Sequence, residues 1–246
     1  NFVLSYYALK GKLFKVFKDE EFKYYSILIA LVTVAITVLI VWFQDPTLVT
    51  TINHPMPFGA LESGFRHAIF QVISVLTTTG FVSADFTMWN YLATALMFSL
   101  FFIGGSAGST SGGVKVVRHV IMIKNSLLEL KKQLHPNAII SVRYNGNRVS
   151  RVIIFNILSF FVIYMLIFIL STVFLTFLGL DFISAFGAAA SCLGNIGPAL
   201  GSVSPVDNFA HLSDAAKLFC SFLMLIGRLE LFTVLIVLTP YFWKSN

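Results

Sequence analysis

Long uncharged stretches alternate with short mixed-charge ones along this chain. Tyr24 to Phe43 runs for 20 residues without a charge, and Val152 to Leu178 for 27. As a helix, about 20 such residues cross a hydrocarbon core of about 30 Å. A further run begins at Tyr91 and dissolves near Ile103 into Gly104-Gly105-Ser106-Ala107-Gly108-Ser109-Thr110-Ser111-Gly112-Gly113; a fourth, Ala215 to Leu238, carries Arg228 and Glu230. Barrel-type alternation with period two is absent, so the pattern predicts spanning helices. Two weaker apolar segments, Ala60 to Thr79 and Phe182 to Leu193, are too short and too polar for full spans. Each ends in a glycine-containing turn, which reads as a re-entrant or buried segment.

Composition agrees. Apolar types make up 57% of the 246 residues and charged types 11%, against about 25% charged in soluble domains. Of 17 Lys and Arg, five fall in residues 10–23 and eight in residues 115–151, while the connections 44–66, 82–90 and 199–214 hold Arg66 and several acids. The positive-inside rule puts the basic segments, and with four spans both termini, in the cytoplasm. Cys192 and Cys220 lie in apolar surroundings without metal-ligand spacing and read as small core residues. Residues 1–23 lack the apolar stretch and cleavage site of a signal peptide, and the chain begins at Asn1. A truncated or processed start is expected.

The order span, re-entrant segment, span occurs twice, and Gly80 and Gly197 lie 117 positions apart. Such a repeat implies pseudo-symmetry about a pathway, with parallel copies about an axis along the membrane normal. The expected organisation is a basic cytoplasmic segment at 1–23, one repeat at 24–134 with an intramembrane loop at 104–113, a cytoplasmic linker at 135–151, and a second repeat at 152–246. The fold class is all-α, with two parallel membrane–pore–membrane repeats.

A cation entering a membrane must exchange its water shell for oxygen ligands, and rings of backbone carbonyls from four loops do this for potassium. The loop needs a short helix that aims its negative C-terminal end inward, then an extended turn with Gly where no side chain fits. Ala68 to Leu76 followed by Thr77-Thr78-Thr79-Gly80-Phe81 meets that need. So does Ala185 to Leu193 followed by Gly194-Asn195-Ile196-Gly197-Pro198. The candidate ligating residues are Thr78, Thr79, Gly80, Asn195, Ile196 and Gly197. Either turn alone is an ordinary helix end; equivalent places in a repeat favour a filter pair.

These two turns, with the Gly-Ser-Thr run at 104–113, resemble the Trk/Ktr/HKT superfamily of potassium transporters over essentially the whole chain. The resemblance implies the third and fourth of four pore modules around a pseudo-fourfold pathway, with two further repeats in a missing N-terminal half. It implies potassium as the transported ion, a bacterial inner membrane, a homodimer, and a cytosolic nucleotide-binding regulatory ring of the TrkA type. One filter glycine per repeat carries over to Gly80 and Gly197. Family pattern leads one to expect a glycine after Pro198, where Ala199 stands. Flux is either channel-like or a symport coupled to sodium or protons.

Consecutive Gly104-Gly105 and Gly112-Gly113 disfavour a continuous helix, although Gly104, Gly108 and Gly112 also fit a close-packing pattern. Unwound backbone at membrane depth must face protein or a water-filled cavity. The expected gate therefore comprises Gly104, Gly105, Gly108, Ser109, Thr110, Ser111, Gly112 and Gly113, a loop the family also has, with Arg228. A mid-span arginine costs roughly 2.5–3.5 kcal/mol on insertion scales and marks function. It is expected to be buried and to hydrogen-bond the loop carbonyls. The alternative is a pair with Glu230, which two residues' separation turns to another face.

Gly108 to Lys115 fails as a phosphate loop, because the Lys is one place late and no strand precedes it. Gly104 to Gly108 fits G-x-S-x-G, which makes an intramembrane serine protease the enzymatic alternative. That enzyme needs a His beside the serine, and the five His fall in loops, near the surface or in the cytoplasmic stretch. A non-conducting accessory subunit is the other alternative, since two repeats cannot close a four-loop ring. Val114 to Leu134 reads as a basic amphipathic helix beside anionic lipid, so membrane lipid is a partner. No nucleic-acid partner is expected.

Overall fold

The computed structural model describes residues 2–43, 59–135, 140–229 and 231–243. Two short helices, α1 (Phe2–Leu9) and α2 (Leu13–Lys18), precede α3 (Glu20–Phe43). Asp19 starts α3 by accepting from the Phe22 N–H at 3.1 Å, and Glu20 and Glu21 occupy the first turn, where the positive end of the helix dipole favours acids. The re-entrant helix α4 (Ala60–Leu76) packs along α3. At 17 residues it is a full turn or more longer than the dozen its polarity suggests. Then follow α5 (Tyr91–Ser99), capped by Asn90, and a 3-10 turn at Leu100–Phe102.

After the glycine loop comes α6 (Val116–Leu134). A two-residue hairpin, β1 (Arg143–Tyr144) with β2 (Asn147–Arg148), turns the chain into α7 (Arg151–Phe177), which Ser150 caps. Next comes the second re-entrant helix, α8 (Phe182–Gly194), capped by Asp181. The chain closes with α9 (Asp214–Arg228), α10 (Leu231–Leu238) and α11 (Pro240–Trp243).

Among the described residues, two helices are long and apolar enough to cross a membrane, Glu20–Trp42 and Arg151–Phe177. The expected fourth span is not one helix. It breaks after Arg228, and α10 leaves α9 at 114°. The second span is likewise a 12-residue apolar helix, Tyr91–Phe102, that gives way to the loop, as its glycines require.

Each repeat wraps a re-entrant helix: α4 against α3, and α8 between α7 and α9. Aromatic rings join the two repeats. Phe98 stacks on Phe186 at 4.9 Å, Phe186 meets Phe168 at 5.1 Å, and Phe168 meets Phe102 edge-on at 5.1 Å. In a bilayer such close packing, rather than exclusion of water, holds helices together, and each ring pair adds about 0.5–1.5 kcal/mol. The opposite side of α7 leaves Val162, Leu166 and Ile169 exposed, as a helix facing lipid or further protein does.

Candidate ion-filter turns and gate loop

The two glycine turns share one backbone design. α4 ends at Leu76 and α8 at Gly194, within one residue of the 117-position offset between Gly80 and Gly197. Thr79 N–H donates to the Ser74 carbonyl at 2.9 Å, and Ile196 N–H donates to the Ser191 carbonyl at 3.0 Å. Thr78 N–H reaches the Val75 carbonyl at 3.0 Å, and Asn195 N–H the Cys192 carbonyl at 3.2 Å. In these two pairs of bonds each partner is 117 positions from its counterpart.

The dihedrals repeat as well. Thr78 and Asn195 are left-handed, with φ of 53° and 56°, and Gly80 and Gly197 have φ of 75° and 114°. A β-branched residue at positive φ is an outlier that costs on the order of 1–3 kcal/mol and concentrates at functional sites. The turns also face each other. A Cβ on Gly80 would collide with the Ile196 carbonyl oxygen, whereas a Cβ on Gly197 would sit 3.9 Å from the Gly80 Cα. The six sequence-selected residues Thr78, Thr79, Gly80, Asn195, Ile196 and Gly197 thus come together at the C-terminal ends of two helices, where the dipoles present partial negative charge.

Ala199, where glycine is expected, is fully buried and lies outside the positive-φ residues. Its N–H donates to the Val203 carbonyl at 3.0 Å. The backbone there does not call for glycine, so alanine fits.

The loop at 104–113 is an ordered turn with a closed neck. Gly104 N–H donates to the Val114 carbonyl at 2.8 Å, and Val116 N–H to the Gly105 carbonyl at 3.2 Å. Inside, Gly105 N–H donates to Ser111 Oγ at 3.0 Å, and the Ser109 hydroxyl donates to the Ser106 carbonyl at 2.6 Å. Gly108 and Thr110 are exposed at the tip, while Gly104, Gly105 and Gly112 are buried. The loop presses on the end of α8: a Cβ on Gly112 would lie 2.6 Å from the Gly194 carbonyl and 2.8 Å from Asn195 Cβ.

Two residues that bear on these turns escape sequence reasoning. Gly227 is one: a Cβ there would collide with the Leu193 carbonyl and lie 2.6 Å from Asn195 Nδ2, whose amide donates to the Met224 carbonyl at 3.0 Å. The other is Glu21, buried at 2% exposure, whose Oε1 accepts from the Ala107 N–H of the loop.

Arg228 departs from expectation. Its side chain is exposed, not buried, because it occupies the last turn of α9, where the chain swings away. It lines a cavity of about 50 Å³ together with Ser109, Thr110, Ser111, Phe160 and Tyr164. Among the described residues it makes no hydrogen bond to the loop carbonyls. Glu230, its alternative partner, lies outside the described residues. Cys192 and Cys220 are buried free thiols, as the core reading has it.

The histidine contacts give the protease reading no support. His67 Nδ1 meets Ser83 Oγ at 3.1 Å, His119 Nε2 meets the Phe102 carbonyl at 3.0 Å, and His211 Nε2 meets Ser202 Oγ at 3.1 Å. His54 lies outside the described residues. No group of His, Cys, Asp and Glu suited to a metal ion occurs among the described residues.

Two re-entrant helices that meet at glycine turns, framed by apolar helices of membrane-crossing length, define an all-α membrane protein built of pore modules. The chain belongs to the TrkH family of cation transport proteins, whose model matches residues 5–244. That family is one of transporters and not of enzymes. The chain is 37% identical over 248 residues to the Trk system potassium uptake protein TrkH of Salmonella typhimurium, covering 100% of this chain and 48% of that protein. Against the protein of the same name from Escherichia coli the identity is 36% over the same shares. The crystal structure of the potassium transporter TrkH from Vibrio parahaemolyticus matches with a TM-score of 0.85 at 34% identity, over 99% of this chain and 50% of that one. The chain spans about half the length of the curated relatives it matches.

Proposed function

We propose that this chain contributes two of the four filter segments of a potassium uptake protein, through the backbone carbonyls of residues 78–80 and 195–197. The observation that carries this reading is the paired turn: the same hydrogen bonds and left-handed residues recur at a fixed offset, and the two turns face each other. Carbonyl rings of this kind substitute for a cation's hydration shell. The other two segments come from a further pair of repeats outside this chain. Potassium is the cargo, and the relatives' names support it.

In this reading the loop at 104–113 gates the pathway, since it abuts the end of α8 through Gly112. Arg228 acts from the side of the loop, across the small cavity it shares with Ser109 to Ser111. The basic segments face the cytoplasm of a bacterial inner membrane, both ends of the chain lie on that side, and the protein works as a homodimer with a TrkA-type regulatory ring.

The test is rubidium uptake by the intact protein in cells that lack other potassium uptake, with Gly80→Ser and Gly197→Ser alongside. Both substitutions should erode preference for potassium over sodium. Unaltered preference in membrane-inserted variants would remove the filter assignment. Arg228→Ala should raise flux with preference retained, and unchanged flux would take Arg228 out of the gate.

A further inference from the structure

Three consecutive acids, Asp19, Glu20 and Glu21, stand at the start of α3, and each takes a partner from a different part of the chain. Asp19 Oδ2 accepts from Asn145 Nδ2 at 2.8 Å, in the turn of the hairpin. The Glu20 N–H donates to Asn145 Oδ1 at 2.9 Å, while its carboxylate pairs with Lys124 of α6. Lys124 also donates to the Arg143 carbonyl at 3.0 Å. Glu21 points the other way, to the Ala107 N–H of the glycine loop. Tyr144, in the same hairpin, has its phenol pushed well above the usual range, by burial first and then by the charges of Glu21, Asp19 and Glu20.

Within the loop, Ser109 and Ser111 and the neck at Gly104 and Gly105 supply hydrogen bonds, and Gly112 abuts the end of α8. Glu21 reaches it from 86 positions away in sequence. A carboxylate of 2% exposure is expensive to bury unless it is hydrogen-bonded, and a bond from a backbone N–H to a charged acceptor is worth about 1.5–3 kcal/mol. At Gly104, Gly105 and Gly108 the loop has little conformational preference of its own. An anchor from outside the loop therefore adds to these bonds in fixing where it rests.

We propose that Glu21 is the positioning residue of the 104–113 loop, and that the run from Asp19 to Glu21 ties this loop to the cytoplasmic hairpin at 143–148. The inference rests on the gate reading of the loop. It means that a displacement of the hairpin or of α6 reaches the loop through the first turn of α3, separately from the direct chain connection at Val114 and Lys115.

The test uses the intact protein in membranes with Ala107→Cys as a reporter, and a charged thiol reagent applied from the cytoplasmic side. Glu21→Ala should raise the labelling rate of the reporter by about tenfold or more, the loss expected for one such bond, and should raise rubidium flux without changing preference over sodium. Glu21→Gln keeps an acceptor oxygen and should bring both back toward the parent values, which a role resting on the charge alone would not do. If Glu21→Ala fails to insert, Asn145→Ala leaves Glu21 in place and removes the clamp behind it; labelling should then rise about twofold. Labelling and flux equal to the parent in the inserted variant would overturn the inference. Gly112→Ala separates the two levels. Altered flux with Gly112→Ala but not with Glu21→Ala defeats only the anchor, whereas flux unchanged in both defeats the gate reading as well.

Discussion

The two glycine turns have the same backbone and different supports. The first turn, at 77–81, is open: Thr77, Thr79 and Phe81 are exposed, and the Thr77 and Thr79 hydroxyls meet each other at 2.8 Å. Its brace is the Ser74 hydroxyl, which donates to the Phe81 carbonyl at 2.7 Å. The second turn, at 194–198, is enclosed on the side of Gly194 and Ile196 and open at Gly197. Gly194 and Ile196 are buried, the loop presses on it at Gly112 and α9 at Gly227, and the equivalent serine, Ser191, accepts from Gly197 N–H at 3.1 Å. What the two share is the left-handed residue, the glycine and the helix end behind them. A function that belongs to the carbonyls requires that much, and it leaves the side chains free to serve local packing.

The comparison can be broken first at the glycines. Gly80→Ala places a methyl group against the Ile196 carbonyl on top of the cost of positive φ, about 1–2 kcal/mol. Gly197→Ala carries the φ cost alone, because its surroundings are open. Rubidium uptake should therefore fall by more than about tenfold in Gly80→Ala and by several-fold less in Gly197→Ala. Equal losses, or the reverse order, would show that the facing geometry of the turns is wrong.

A second prediction sharpens the contrast in support. Gly227→Ala overpacks the contact of α9 with Leu193 and Asn195, a change that costs typically 1–3 kcal/mol. It should lower the thermal stability of the solubilised protein and loosen potassium preference through the turn at 194–198. At the turn at 77–81 the neighbours that crowd Gly80 are instead Ile196 and Pro198. Normal stability and preference in Gly227→Ala would mean that α9 does not brace the turn.

The smallest effect concerns the start of α8. Asp181 caps this helix through Ser184, whose side chain first and backbone second hold the carboxyl below its ordinary value. Asp181→Ala should cost about 1 kcal/mol. A depressed carboxyl contributes above its unfolded pKa of about 3.9 and loses that contribution as pH falls through the lower folded value. The stability gap between parent and variant should thus be constant near neutral pH and close in strong acid, as followed by thermal unfolding. A gap that persists unchanged at the lowest pH would exclude the charged cap.

Much of this architecture was legible in the residues. Uncharged runs locate α3 and α7, and the doubled glycines interrupt the second span. Gly80 and Gly197 stand out because two short segments recur at one offset. What could not be read belongs to contacts between distant segments. Gly227 looks like any glycine in an apolar helix until Leu193 and Asn195 lie against it. Glu21 looks like a favourable first-turn acid, and its loop partner is far along the chain. Arg228 illustrates the converse: the composition of 215–238 describes one span with a central arginine, but the chain bends after residue 228 and leaves the side chain exposed. A sequence window averages hydropathy across such a break.

The central claim is that the two turns bind one row of cations. Its most direct measurement is an anomalous difference map of the intact protein crystallised in rubidium. The account predicts density between the turns, coordinated by main-chain oxygens of both 78–80 and 195–197. Well-ordered turns with no rubidium density between them, or density bound only elsewhere in the protein, would contradict it.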